Sequence, residues 1–179
     1  LALKDQSTSR LFVGTARAVG ANVNRTVRSG ARSDAEFTAE STEKDRWVDA
    51  SLHVLHFERG GGKGNLLWYN FAAHPTTYGG SGAAGPGWPG VVQKRLRAAF
   101  GVSASYLQGH IGDISPTGRE RTATLVTSAI VDAVASAREV PVDVLRVETQ
   151  SVALPFDLET FRKNIAQHKD SSLFDRDWF

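Results

Sequence analysis

Apolar positions along this chain fall into short runs, each closed by glycine, proline or a polar stretch. Residues 10–19 (Arg-Leu-Phe-Val-Gly-Thr-Ala-Arg-Ala-Val) read as a strand weakened by Gly14. Residues 22–41 are polar and charged, the pattern of a long functional or mobile loop. In 46–59 the alternation is that of a strand. Leu52, Val54 and His56 share one face, and His53, Leu55 and Phe57 share the other. Gly60-Gly-Gly-Lys-Gly64 reads as a hairpin loop. The next strand, 65–73, is apolar on both faces and is predicted to lie centrally in a sheet.

A glycine-rich loop over 78–90 leads into a helix, with Pro89 in the first turn, where its missing N–H costs nothing. The helix is predicted to bury Val92, Leu96, Ala99 and Phe100 and to stop at Gly101. Then come a strand over 102–108 and a long helix over 119–139, with Val126, Ile130, Ala133 and Ala137 in one stripe. A strand over 142–154 and a short helix over 158–169 follow. From residue 46 onward the order strand, strand, helix, strand, helix, strand predicts an α/β fold: a mixed β-sheet with helices packed on it. No internal repeat or linker divides residues 1–179, which read as a single piece.

Composition narrows this picture. With 41% hydrophobic and 22% charged residues, a chain of 179 residues has the make-up of one ordinary globular domain. The net charge of +2 and the absence of a basic block argue against a nucleic-acid partner. Lys94, Arg95 and Arg97 are expected on the solvated face of their helix. There is no cysteine, which excludes disulfides, thiolate metal sites and cysteine nucleophiles. No apolar run is long enough for a transmembrane segment. The chain has no methionine and ends on large apolar groups (Trp178, Phe179), so it is expected to be a processed or truncated piece of something larger.

Candidate chemistry gathers where apolar strands break into loops, the edge at which open α/β sheets bind ligands. His74, in Asn70-Phe-Ala-Ala-His74-Pro-Thr-Thr, is either a strand-end hydrogen-bonding residue or a zinc ligand. Ser115 sits in Gly109-His-Ile-Gly-Asp113-Ile-Ser115-Pro116. It is either a turn residue or a hydroxyl beside a site, with Asp113 two positions before it and Gly109 and Gly112 permitting close backbone approach. No Gly-x-Ser-x-Gly elbow is present, which disfavours an α/β-hydrolase triad. His110 is as well placed to point away from Ser115 as towards it. Arg25 is either a solvated loop arginine or a fork for a carboxylate or oxyanion. His53 and His56 face opposite ways on their strand and cannot share a metal. No Gly-Lys-Ser/Thr follows the glycine-rich loop, so it does not match a phosphate-binding loop.

Three segments in order resemble the neutral/alkaline (non-lysosomal) ceramidase family. They are Asn22-Val-Asn24-Arg25, Phe71-Ala-Ala-His74-Pro75, and Tyr106-Leu-Gln-Gly109 leading to Gly112-Asp113-Ile-Ser115-Pro116. The resemblance spans about residues 10–117 and implies an internal part of a larger catalytic domain. It implies that His74 binds a catalytic Zn2+, that Ser115 acts at the scissile amide, and that Arg25, Asn24 and Asp113 line the substrate pocket. The implied reaction is hydrolysis of the N-acyl bond of ceramide, by a secreted or periplasmic enzyme of sphingolipid metabolism. The family's other zinc histidine belongs to a segment that would precede Leu1. Its Glu and Tyr ligands lie downstream of the Ser-Pro block, and no residue here is assigned to them. Gly87 stands where the family carries an acidic residue.

The expectation is therefore a zinc-dependent amidohydrolase acting on an N-acyl lipid. The remaining zinc ligands would come from the rest of the domain or from a second chain. The alternative is a non-catalytic ligand-binding or scaffold domain that retains a partial site.

Overall fold

The computed structural model describes residues 2–25, 48–76, 85–144, 146–153, 155 and 157–168. They fall into two compact units, residues 1–143 and 144–179. Most of the 22–41 and 78–90 loops, and the apolar C-terminal end, lie outside the described residues.

In the first unit a 3-10 turn (Ala2–Asp5) precedes β1 (Ser9–Arg17), β2 (Asn22–Asn24), β3 (Ser51–Arg59) and β4 (Leu66–Phe71). Helix α1 (Gly87–Phe100), β5 (Ser103–Gln108), β6 (Ile114–Pro116), α2 (Arg119–Ala135) and β7 (Arg138–Val140) follow. Five strands form a mixed sheet in the order β5-β4-β3-β1-β7, and β2 pairs with β6 in a separate two-stranded ribbon. The β4–β5 pair is parallel and the other pairs are antiparallel. Only that pair needs a crossover, which α1 supplies. The predicted α/β class, a mixed sheet with helices packed on it, is the observed one.

One face of the sheet carries the core. Leu52 and Val54 from β3 and Leu67, Tyr69 and Phe71 from β4 meet Trp88, Val92 and Leu96 of α1 and Ala123, Val126, Ile130 and Ala133 of α2. Gly14 makes this possible on β1. A Cβ there would lie 2.0 Å from the carbonyl oxygen of Ala133, so α2 rests directly on the strand backbone. The weak spot in the β1 pattern is thus the seat of the helix.

Several expectations shift. β4 is flanked by strands on both sides, but its outer face is not fully covered among the described residues: Trp68 is 41% exposed and meets Phe57 edge-on. In α1 the buried stripe is Trp88, Val92 and Leu96, while Ala99 and Phe100 are exposed in the last turn. Arg95 is half-buried, bonded to Glu120 and Thr124 of α2. α2 ends at Ala135 rather than 139, and 138–140 turn back as edge strand β7. The predicted strand 142–154 is not a strand among its described residues. Val142, Val144, Val147 and Val152 are exposed, and β-branched alternation without a pairing partner does not make a ladder. The second unit contains α3 (Leu158–His168), whose first turn is capped by the Asp157 carboxylate accepting from the Thr160 amide at 2.9 Å.

Candidate functional site

Beyond Phe71 the β4 chain leaves the sheet, and His74 donates its backbone N–H to the carbonyl of Ile114 in β6 at 3.3 Å. On its other side β6 pairs with β2, with Asn22 opposite Pro116, Val23 opposite Ser115 and Asn24 opposite Ile114. Three segments far apart in sequence therefore meet at β6. The His74 backbone thereby lies beside Ile114, the residue before Ser115.

The polar groups are tied to one another. Asn24 is buried, and its Nδ2 donates to the Asp113 carboxylate at 3.2 Å. The Arg25 backbone N–H donates to the Asp113 carbonyl at 2.8 Å, and its guanidinium Nε and Nη2 both reach the Gly112 carbonyl, at 3.2 and 2.6 Å. Arg25 is exposed, yet it braces the 112–113 turn rather than standing free in solvent. Alternation along β2 and β6 places Asn24 and Ile114 on the buried face of the ribbon and Ser115 with Val23 on the other. Ser115 is half-buried, and its Oγ has no hydrogen-bond partner among the described residues. His110 is exposed. Gly109 does allow a close approach, but to protein: a Cβ there would lie 3.1 Å from Cα of Ala72, where the ends of β4 and β5 press together. A Cβ on Gly112 would meet nothing within 4 Å.

Residues outside the predicted set support this cluster. Asn22 is fully buried and its Nδ2 donates to the carbonyls of Asp49 and Ala72, each at 2.7 Å. Thr122 Oγ1 donates to the Ala21 carbonyl at 2.7 Å and accepts the Thr117 N–H, which fastens the start of α2 to β2. The Tyr106 hydroxyl lies 2.9 and 2.7 Å from the carbonyls of Phe71 and Ala73. The indole N–H of Trp88 donates to the His74 carbonyl at 3.1 Å. The signal for these last two was an aromatic with a polar tip on a core-facing position, which sequence reading assigns to packing alone. Burial raises the Tyr69 phenol well above its ordinary range, Tyr106 adding to the effect, and pushes Tyr106 up to about 12.

For a metal the donor set is partial. His74 Nδ1 is buried without a hydrogen-bond partner, which suits a ligand. Among the described residues, however, no group of three or more His, Cys, Asp or Glu side chains could hold a metal ion. A zinc site takes about four ligands, three of them from protein when it is catalytic. A half-open apolar cavity of about 360 Å³, lined by His56, Leu67, Leu96, Phe100 and Ile130 among others, shares no lining residue with this cluster.

No protein-family model matches the sequence, and no curated protein matches it. Solved structures do. The crystal structure of neutral ceramidase from Pseudomonas aeruginosa superposes with a TM-score of 0.54 over 74% of this chain, at 19% identity. The fold is shared with a ceramidase. A ceramidase complexed with C2 matches with the same TM-score and coverage, at 18% identity. The chain spans about a quarter of the length of those ceramidase chains, 24% and 23%. No helix among the described residues is long and apolar enough to cross a membrane.

Proposed function

We propose that this chain is part of the catalytic domain of a zinc-dependent amidohydrolase that cleaves the N-acyl bond of ceramide or a similar N-acyl lipid, in a secreted or periplasmic setting. One observation carries the reading. The three motif segments, separated in sequence, converge on β6 and bring His74, Ser115, Asp113, Asn24 and Arg25 together. In this reading His74 is one zinc ligand, and the others come from outside the described residues, in the same domain or a second chain. His74 would help hold zinc, whose chemistry there would be Lewis-acid polarisation of the amide carbonyl and a lowered pKa of water. The Ser115 hydroxyl donates to the carbonyl oxygen that becomes negative as water adds; the charge is lost again when the C–N bond breaks and the amine leaves with the proton given up by the water. The Asn24–Asp113 pair, on the buried face of the ribbon, and the Arg25 grip on Gly112 hold the loop that aims Ser115, and the exposed Arg25 lies at the approach of the substrate.

The experiment uses the full-length protein with zinc and an N-acyl sphingosine. Ser115→Ala should leave stability within about 1 kcal/mol, since its hydroxyl has no hydrogen-bond partner among the described residues. It should lower kcat on the order of 10²-fold or more. His74→Ala should lose zinc by elemental analysis. Normal turnover by Ser115→Ala refutes the assignment of Ser115. A wild-type protein with no amidase activity on any N-acyl lipid points instead to a non-catalytic ligand-binding domain.

A further inference from the structure

From 72 to 76 the chain has no regular secondary structure, yet each carbonyl from Phe71 to His74 accepts a hydrogen bond. Phe71 takes the Gly109 N–H and faces the Tyr106 hydroxyl, Ala72 takes Asn22 Nδ2, and Ala73 faces the same Tyr106 hydroxyl. His74 takes the Trp88 indole N–H. The donors come from β5, β2 and α1, so this irregular segment is set by side chains from three separate elements.

Trp88 holds the link nearest the imidazole. Its side chain is fully buried and wedged among rings: Tyr106 edge-on at 4.8 Å, Phe71 perpendicular at 6.1 Å and Tyr69 at 6.4 Å. The indole cannot turn without moving that cluster, so its N–H is a fixed donor aimed at one carbonyl. An apolar core needs only the ring; the N–H adds a direction.

We propose that Trp88 is a positioning residue for His74. Its Nε1–H fixes the His74 peptide plane, and through it the placement of the imidazole, with Tyr106 fixing Ala73 in the same way. This rests on the reading that His74 acts in the site. Releasing the carbonyl lets the segment swing, and a misplacement of about 1 Å at a reacting group costs on the order of 10²-fold in rate.

The test separates the N–H from the ring. In the full-length protein, benzothienylalanine placed at position 88 keeps the shape and replaces N–H by sulfur, while 5-fluorotryptophan at the same position keeps both. With the sulfur analogue we expect faster exchange of the His74 amide and shifted His74 imidazole resonances. Zinc affinity should weaken about 10- to 100-fold, and kcat should fall with KM changed less than about twofold. 5-Fluorotryptophan should restore all four. If the sulfur analogue leaves the His74 resonances and amide exchange unchanged, Trp88 is a core residue only and the proposal is overturned. His74→Ala is measured in parallel. Unchanged zinc content and turnover there refute the catalytic reading, while the resonance and exchange data still decide whether the indole N–H holds His74.

Discussion

Replacing Asn22 with Ala should cost more stability than any change of its size on the surface, because Asn22 links three segments with one amide group. The side chain is fully buried, and Nδ2 makes two bonds of 2.7 Å, to Asp49 and Ala72. The Ala72 carbonyl is buried, so losing its donor carries the full penalty of an unsatisfied group, about 1–3 kcal/mol. The Asp49 carbonyl is only partly buried and can turn to water, which limits that loss to the net value of a hydrogen bond, about 0.5–1.5 kcal/mol. The Asn22 Oδ1 is itself buried without a partner, and removing it returns some of the loss. The balance is a destabilisation of about 2–4 kcal/mol, which for a chain of this size lowers Tm by roughly 5–15 °C. Urea unfolding followed by tryptophan fluorescence, with the slope m checked for constancy, measures it directly. Asn22→Asp should be at least as harmful, since it sets a carboxylate against two carbonyl oxygens. If either variant unfolds within about 0.5 kcal/mol of the wild type, Asn22 is not the tie described here.

Gly14→Ala should destabilise by about 3 kcal/mol or more, above the usual cost of an added methyl group. The clash at 2.0 Å is with helix backbone, which has no rotamer to change. A urea midpoint equal to that of the wild type would mean that α2 does not rest on β1. Alkaline titration should show Tyr69 and Tyr106 ionising late. Unfolded phenols lose their protons near pH 10, whereas burial keeps Tyr106 protonated up to about 12 and Tyr69 beyond that. Because the folded chain holds these protons more tightly, its stability should be level below pH 10 and fall as pH rises through and above that value. Phenolate absorbance at these two residues should then grow together with unfolding measured by circular dichroism. Phenolate signal from both at pH 10 in a folded chain would refute their burial.

The longer elements were legible because their patterns repeat. β3 shows Leu52 and Val54 in and His53 out, and α2 shows Val126, Ile130 and Ala133 in one stripe. β2 and β6 were not, because three residues carry no period and their pairing joins positions far apart. The 142–154 error had the opposite cause: valines spaced as in a strand, whose described residues nevertheless form none. At the candidate site, His74 and Ser115 were visible as polar residues at strand ends, and Arg25 as an arginine in a polar loop. Trp88 and Tyr106 were hidden by their own rings, since the sequence displays their apolar bulk but not the direction of an N–H or O–H. Of the two glycines that matter most, Gly109 signalled a close approach without saying to what, and Gly14 signalled only a weakened strand. In both cases the neighbour is backbone.

The β2–β6 ribbon also bears on when the site forms during folding. Its links span 89 residues from Asn24 to Asp113 and 97 from Gly20 to Thr117, and the Asn22–Ala72 link spans 50. Local hairpins such as β3–β4 close over short loops and can assemble early, whereas contacts of this length must wait until the intervening chain is already compact. The geometry around His74 and Ser115 should thus be among the last features to consolidate. A nascent or nicked chain that ended before β6 could build much of the sheet and keep the Trp88 link to His74, yet it would lack Ser115 and the Ile114 carbonyl that takes the His74 amide, which makes this site a checkpoint for completed folding.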